Sequence, residues 1–201
     1  MRLAATLAFV LLALVGCGGS GGGGKETMPC VSQNEPGKVS DLEPGKTYRI
    51  ALKTNKGSFT IELDTKASPK TSASFVALAR SGFFNGTCFH RIVPNFVIQG
   101  GDPTGTGTGG PGYSTVDKPP ADAKYTKGVV AMAKAASEPP GTSGSQFFVV
   151  TGDDARLPPD YAILGKVVDG LDVVETIGKL GDANEQPTER VEIEDATVET
   201  G

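Results

Sequence analysis

Two consecutive runs near residue 50 alternate apolar with polar positions. The apolar side chains are Tyr48, Ile50 and Leu52 in the first run and Phe59, Ile61 and Leu63 in the second. A period of two is typical of a strand with one buried face. Asn55-Lys56-Gly57 lies between the runs and has the composition of a tight turn. The pattern therefore predicts a β-hairpin that begins near Thr47.

Two other segments have helical character. Ser68-Pro69 is a helix start, with Ser as the N-cap and Pro at the first helical position, and the predicted helix ends at Gly82. A second, shorter helix is predicted to begin at Asp169 or Gly170 and to end at Gly178.

The remaining apolar runs are short and of β type. They cover residues 88–93, 96–99, 128–133, 146–151, 163–167 and 191–198, and the last run alternates so that it can pair with the first hairpin. A composition of 28 Gly and 14 Pro in 201 residues supplies the turns that many short strands need. The predicted fold class is mainly β, a closed eight-stranded antiparallel barrel capped by two α-helices.

The first residues have the pattern of an export signal. Arg2 is followed by an apolar run, Leu3–Val15, that is too short to span a bilayer comfortably. Leu14-Val15-Gly16-Cys17 resembles the lipobox of bacterial lipoproteins, in which the Cys receives a lipid and becomes the new N-terminus. The alternatives are an ordinary signal peptide and an N-terminal helix that packs on the domain.

A Gly-rich segment, residues 18–24, follows Cys17 and favours the lipoprotein interpretation, because a tether is useful only when its upstream end is fixed. Three parts are expected. They are a signal peptide over 1–16, a lipidated Cys17 with a flexible Gly-rich tether over 17–46, and a folded domain over 47–201. The expected location is extracytoplasmic, in the cell envelope, with membrane attachment through the N-terminal lipid.

Charge and composition exclude several functions. The net charge of -4 and a pI near 5.1 argue against a nucleic-acid partner, which usually requires a basic face. His90 is the one histidine of the chain, so a His-rich metal site cannot form. We expect a monomer with no metal and no cofactor.

Residues 89–102, Phe-His-Arg-Ile-Val-Pro-Asn-Phe-Val-Ile-Gln-Gly-Gly-Asp, resemble the signature of cyclophilins, the peptidyl-prolyl cis–trans isomerases. Three further segments match family motifs in the same order, namely Gly107-Thr108-Gly109-Gly110, Ala131-Met132-Ala133 and Gly144-Ser145-Gln146-Phe147-Phe148. The resemblance extends over roughly Thr47 to Thr197. It implies a cyclophilin-like barrel that isomerises X–Pro bonds of proline-containing polypeptides and assists the folding of extracytoplasmic proteins.

The resemblance also implies a role for each site residue. Arg91 is the catalytic residue, whose guanidinium donates a hydrogen bond to the proline nitrogen when the amide is twisted. Gln99 hydrogen-bonds the substrate backbone and positions Arg91. The substrate-binding residues are Phe96, Gln99, Met132, Ala133, Lys134, Gln146, Phe148, Leu157 and Tyr161. His90 is structural, because isomerisation transfers no proton.

The chain departs from the family pattern at several positions. Arg156 stands where many members have a Trp that donates a hydrogen bond to cyclosporin A, so weak binding of that inhibitor is expected. Tyr161 replaces a common His, Lys134 a common Asn and Val97 a common Met. The Asn contacts substrate through its backbone, and substrate binding is therefore expected to survive the change to Lys.

The sequence is also compatible in part with functions other than isomerisation. A cyclophilin barrel could bind proline segments, as a chaperone module, with little turnover, although Arg91 and Gln99 argue against this. A solute-binding lipoprotein usually needs a larger two-lobed chain. The glycines of residues 105–110 fit a phosphate-binding pattern but are followed by prolines instead of a helix. Cys88 and His90 lack a third group for a thiol hydrolase.

The two cysteines downstream of Cys17 leave one question open. An oxidising compartment permits a disulfide between Cys30 and Cys88. The segment around Cys88 resembles a family stretch that often carries an unpaired Cys, so Cys88 does not require a partner. Cys30, in a proline-flanked tail, has no such explanation.

Overall fold

The predicted hairpin is present in the computed structural model, which describes residues 30–201. Strand β1 (Tyr48–Thr54) pairs antiparallel with β2 (Gly57–Leu63), and Ile50 lies opposite Ile61. The apolar positions of both strands are buried. The alternation therefore identified the inward face of this hairpin correctly.

Six further strands join this hairpin, namely β3 (Arg91–Val93), β4 (Val97–Gly100), β6 (Val129–Met132), β8 (Phe147–Val150), β9 (Ile163–Asp169) and β10 (Ile193–Thr200). The eight strands form one sheet in the order β10-β1-β2-β9-β6-β8-β4-β3. Strand β10 pairs with β1, as its alternation predicts. A separate two-stranded ribbon joins β5 (Thr115–Val116) to β7 (Thr142–Ser143).

The prediction of a closed barrel is wrong, because the sheet is a strongly curled half-barrel with β3 and β10 as its two edges. Only a short contact links the two ends. Phe89 N–H donates to the carbonyl of Val191 at 2.9 Å, and Ile193 N–H donates to that of Thr87 at 2.8 Å. The chain then turns away, and β3 meets a loop instead of β10, since Ile92 N–H donates to the carbonyl of Glu185 at 3.0 Å.

Both predicted helices are present, as α1 (Pro69–Arg80) and α2 (Leu171–Gly178). Pro69 occupies the first turn of α1 as predicted, but the Ser68 side chain makes no capping hydrogen bond. Helix α1 buries Phe75 and Leu78 in the core, and α2 buries Val174 and Ile177. Among residues 30–201, neither helix has the length and apolar character needed to cross a membrane.

Apolar side chains collect in two clusters on opposite sides of the sheet. The larger cluster fills the curled interior and includes most of the buried phenylalanines. The smaller one is formed by Val97, Tyr125, Ala131, Phe148 and Val150. Strand β8 supplies both clusters, because its successive side chains point to opposite faces. Phe147 therefore enters the interior and Phe148 the smaller cluster.

The N-terminal segment 30–46 lies against the domain, which differs from the expected free tether. A disulfide joins Cys30 to Cys88 with a Cα–Cα distance of 5.4 Å, which answers the question that the sequence left open. Ser32 N–H donates to the carbonyl of Pro103, and the Asn34 amide donates to that of Gly82, both at 2.9 Å. Residues 1–29, which include the predicted signal peptide and Cys17, lie outside the described residues.

The disulfide closes a loop with a sequence separation of 58 residues, and its removal is expected to destabilise the domain. Replacing Cys30 with Ala, which leaves the buried Cys88 in place, should lower the free energy of unfolding by up to about 4 kcal/mol. Urea denaturation of the oxidised parent and of Cys30→Ala measures the difference. Equal midpoints, or two thiols that react with a label in the unreduced, denatured parent, would contradict the bond.

Candidate functional site

A row of residues crosses four neighbouring strands and places the predicted catalytic groups side by side. Arg91 on β3 lies opposite Gln99 on β4, Gln99 lies opposite Phe148 on β8, and Phe148 lies opposite Ala131 on β6. Directly paired residues of antiparallel strands point to the same face of the sheet. The spacing of eight residues between Arg91 and Gln99 is thus the register of the β3–β4 hairpin.

A cavity of about 330 Å³ opens over this row. It contains eight of the ten residues that the sequence assigned to the site, and Val97 in addition. The lining residues are Arg91, Phe96, Val97, Gln99, Ala133, Lys134, Phe148, Leu157 and Tyr161. A small apolar floor beside a guanidinium and an amide suits a ring-shaped apolar group attached to a polar backbone.

Gln146 lies outside this cavity, in the wall of a neighbouring one of about 740 Å³ that shares Gln99, Ala133 and Lys134 with it. Its side chain connects the two cavities. The side-chain oxygen Oε1 of Gln146 accepts a hydrogen bond from Gln99 Nε2 at 3.1 Å. The Gln146 amide donates to the carbonyls of Gly107 at 3.0 Å and Gly109 at 2.9 Å.

Met132 is not a pocket residue, and its assignment to the substrate site is wrong. Its side chain is 1% exposed and belongs to the large interior cluster. The reason is that successive side chains of a strand point to opposite faces, and the motif itself does not indicate which face each residue occupies. Ala131 on β6 and Ala133 directly after it lie on the pocket side, and Met132 between them points the opposite way.

Arg91 is held at two points of its guanidinium. Nη1 donates to Gln99 Oε1 at 3.3 Å, and Nε donates to Glu185 Oε2 at 2.7 Å. A guanidinium has five N–H groups, so three of them are not used in these two contacts. The Arg91 side chain is 33% exposed and lines the cavity, so its charge is accessible to a ligand bound there. Sequence reasoning did not identify Glu185.

Asp102 anchors the loop that orients Gln146, and it is fully buried at 0% exposure. Its carboxylate accepts hydrogen bonds from Thr104 N–H at 2.7 Å, Thr104 Oγ1 at 2.8 Å, Gly109 N–H at 3.1 Å and also Gly107 N–H. Burial alone would raise the pKa of Asp102, but these donors outweigh it and hold the pKa below its usual value. A side chain at position 109 would collide with Asp102 Oδ1, so this approach requires glycine.

Aromatic rings form the far wall of the cavity. Phe148 and Tyr161 meet edge to face, with ring centroids 5.5 Å apart. The buried Tyr125, which the sequence analysis did not identify, fixes Tyr161 by two hydrogen bonds. Its hydroxyl donates to the Tyr161 carbonyl at 2.7 Å and accepts from the Tyr161 N–H at 3.1 Å. Lys134 Nζ lies 5.7 Å from the centre of the Tyr161 ring.

His90 is not among the residues that line the cavity. Neither of its ring nitrogens has a hydrogen-bond partner among residues 30–201. The ring packs beside Gly107, where a Cβ atom would lie 3.7 Å from His90 Nε2. Burial is the largest influence on this side chain and lowers the pKa of His90. The neutral imidazole is therefore the form that the fold favours.

Within the described part of the chain, no group of three or more His, Cys, Asp or Glu side chains is placed to hold a metal ion. The chemistry that the cavity residues offer is hydrogen bonding from a fixed cation beside an apolar recess.

Comparisons with known proteins agree with this geometry. Residues 49–198 match the family model described as cyclophilin type peptidyl-prolyl cis-trans isomerase/CLD. The chain is 41% identical over 174 residues to peptidyl-prolyl cis-trans isomerase A of Mycobacterium tuberculosis, a match that covers 77% of this chain and 94% of the relative. It is 38% identical over 160 residues to a peptidyl-prolyl cis-trans isomerase of Arabidopsis thaliana, covering 77% and 96%.

A solved structure is also similar. A cyclophilin type peptidyl-prolyl cis-trans isomerase of Cryptosporidium parvum superposes with a TM-score of 0.70 at 34% identity, covering 76% of this chain and 98% of that chain. A second structure of the same isomerase, determined in the presence of the dipeptide Ala-Pro, superposes with a TM-score of 0.69 at 35% identity, covering 75% and 98%.

The chain belongs to the cyclophilin-type peptidyl-prolyl cis–trans isomerases. It is an isomerase of X–Pro bonds, as the signature in residues 89–102 implied.

The lowered pKa of His90 leads to a prediction for stability. An unfolded histidine has a pKa of about 6.5, so below this pH the unfolded chain binds a proton at His90 more readily than the folded chain does. The free energy of unfolding should therefore fall as pH decreases from about 7 to 5. His90→Gln should remove most of this dependence, because the chain has no other histidine. Urea denaturation at several pH values makes the comparison.

The matching experiment on activity serves as a control. Isomerase turnover in the parent should stay nearly flat from about pH 6 to 8, since no proton is transferred. An equal pH dependence of stability in His90→Gln would contradict the assignment of this effect to His90.

Proposed function

We propose that Arg91 is the catalytic residue of this isomerase. The planar amide before proline resists rotation with a barrier near 20 kcal/mol, and twisting it localises the lone pair on the proline nitrogen. A donor that meets this lone pair stabilises the twisted amide more than the planar one, which is the requirement for catalysis. The observation that carries the proposal is the guanidinium of Arg91 at the rim of an apolar recess, held by Gln99.

The remaining cavity residues have roles in binding. Phe96, Phe148, Leu157 and Tyr161 surround the recess and would enclose the proline ring. Burying such an apolar ring is favourable at roughly 25 cal/mol per Å² of apolar surface. The Ala-Pro dipeptide used with the Cryptosporidium parvum relative supports an X–Pro ligand for this recess.

The residue before proline would extend toward the neighbouring cavity, along Ala133, Lys134 and Gln146. The N–H of Ala133 is already used in a 2.9 Å hydrogen bond to the carbonyl of Gln146. The backbone of Lys134 is therefore the better partner for the peptide. Gln99 reaches both cavities and would contact the substrate backbone between them.

Replacing Arg91 with Ala tests the catalytic role. Turnover should fall by about 10²- to 10³-fold, equivalent to about 3–4 kcal/mol, because the lost donor acts in the twisted state. Affinity for an X–Pro peptide should change much less. A protease-coupled isomerisation assay measures turnover, and calorimetric titration measures affinity.

The matched control for this prediction is Arg49→Ala. Arg49 is a half-exposed arginine on β1 that pairs with Glu62 on β2, away from the cavity. The replacement should leave both quantities unchanged. A folded Arg91→Ala protein with activity within a few-fold of the parent would contradict the mechanism. It would then favour the alternative of a proline-binding module that needs no such donor.

The protein is further proposed to act outside the cytoplasm as a lipid-anchored monomer on proline-containing segments of exported proteins. The signal-like residues 1–16 and the lipobox at Cys17 support this location. The disulfide between Cys30 and Cys88 adds independent support, since such bonds persist mainly in oxidising compartments.

The disulfide also changes the expected reach of the anchor. Because Cys30 is bonded to the domain, the tether would run from Cys17 to Cys30, a separation of 13 residues, instead of to Lys46. A Gly-rich chain of this length spans on the order of 20 Å. The domain would then work close to the membrane surface, where exported chains emerge.

Replacing Cys17 with Ala tests the anchor. The full-length parent should partition with the membrane and into the detergent phase of a Triton X-114 separation, whereas Cys17→Ala should appear in the aqueous fraction. Cys30→Ala is the matched control and should remain with the membrane. Aqueous partitioning of the parent, or membrane retention of Cys17→Ala after signal cleavage, would contradict lipidation at this residue.

A further inference from the structure

The loop over residues 181–187 is built around Asp182. Its carboxylate accepts hydrogen bonds from the backbone N–H groups of Asn184 at 2.8 Å and Gln186 at 2.9 Å. Asp182 N–H donates to the carbonyl of Gln186 at 2.9 Å, which closes the turn. These bonds give the loop a defined shape and leave Glu185 at its tip.

The loop packs tightly against the free edge of β3. Glu185 offers its carbonyl to Ile92 N–H at 3.0 Å, in the place where a neighbouring strand would bond. A side chain at Gly181 would lie 2.2 Å from the carbonyl oxygen of Ile92, so the backbones are too close for any larger residue. The loop is thus docked on the residue that follows Arg91.

The side chain of Glu185 returns to the site from this position. Its Oε2 lies 2.7 Å from Arg91 Nε, and its exposure of 48% leaves the carboxylate accessible to water. An ion pair this exposed contributes little to stability. The contact is therefore better explained by what it does to the orientation of the guanidinium.

Glu185 also has an unfavourable backbone conformation, with φ of 64° in the left-handed region. Glycine adopts this region without a steric cost, whereas a glutamate adopts it under strain. Stability alone would favour glycine at this position. The glutamate side chain gains nothing for the turn itself, because the hydrogen bonds of the turn come from Asp182 and the backbone.

We propose that Glu185 is a positioning residue for Arg91, an inference that rests on the catalytic role proposed for Arg91. Glu185 holds Nε and Gln99 holds Nη1, so two sides of one planar group are fixed. Rotation about the end of the side chain is then restricted, and the unused N–H groups keep one direction. A donor whose direction is fixed before the amide twists needs no reorganisation during the reaction.

The test compares three replacements of Glu185. Glu185→Gly should lower kcat about 5- to 10-fold, leave KM within about twofold, and give a thermal midpoint no lower than that of the parent, because the strained φ is relieved. Glu185→Gln should keep activity within about threefold of the parent, since its carbonyl oxygen can still accept from Nε. Glu189→Gln, at another exposed glutamate of the same region that pairs with Lys56, is the matched control and should change nothing.

A double variant separates positioning from a general structural effect. In an Arg91→Ala background, Glu185→Gly should cause no further loss of turnover, because the group that it positions is already absent. A further 5-fold loss there, or full activity of Glu185→Gly in the natural background, would overturn the proposal. Full activity of Arg91→Ala would instead refute the catalytic role of Arg91, so the two failures are distinguishable.

Discussion

A buried carboxylate is the constraint on which the site depends. Asp102 is removed from water, and four donors of the loop that follows it satisfy the charge. An unpaired buried charge would be very costly, so the loop has little freedom to adopt another shape. Its carbonyls at Gly107 and Gly109 then fix the amide of Gln146, and that amide fixes Gln99, which contacts Arg91. One of the two contacts that orient the guanidinium thus depends on backbone geometry two side chains away.

The two faces of the curled sheet have different roles, since side chains on one face form the interior core and side chains on the other line the cavity. Inward side chains such as Ile98 and Phe147 fill the interior cluster, whereas Gln99 and Phe148, which directly follow them in sequence, face the cavity. A continuous family motif therefore contains both core residues and cavity residues, and the motif alone does not distinguish them. The cavity keeps its shape because its floor belongs to strands that the interior packing already holds.

The sequence predicted the parts of the structure that depend on local pattern or on a family motif. Alternation identified β1 and β2, Ser68-Pro69 located α1, and the resemblance to cyclophilins implied the contact between Arg91 and Gln99. Met132 was misplaced because a family motif does not state which way a side chain points. Tyr125, Asp102 and Glu185 were missed because each reaches the site from a distant segment or through the backbone. The sequence did not decide whether Cys30 pairs with Cys88, because chain connectivity does not determine which cysteines meet in the fold.

The difference between the expected closed barrel and the observed open sheet bears directly on the site. Had β10 continued its contact with residues 87–89 along β3, a strand would occupy the outer edge of Ile92. The open edge admits the loop over residues 181–187 instead, and Glu185 of this loop places its carboxylate oxygen 2.7 Å from Arg91 Nε. The loop at the open edge of the sheet therefore brings a second side chain, besides Gln99, into contact with the guanidinium of Arg91.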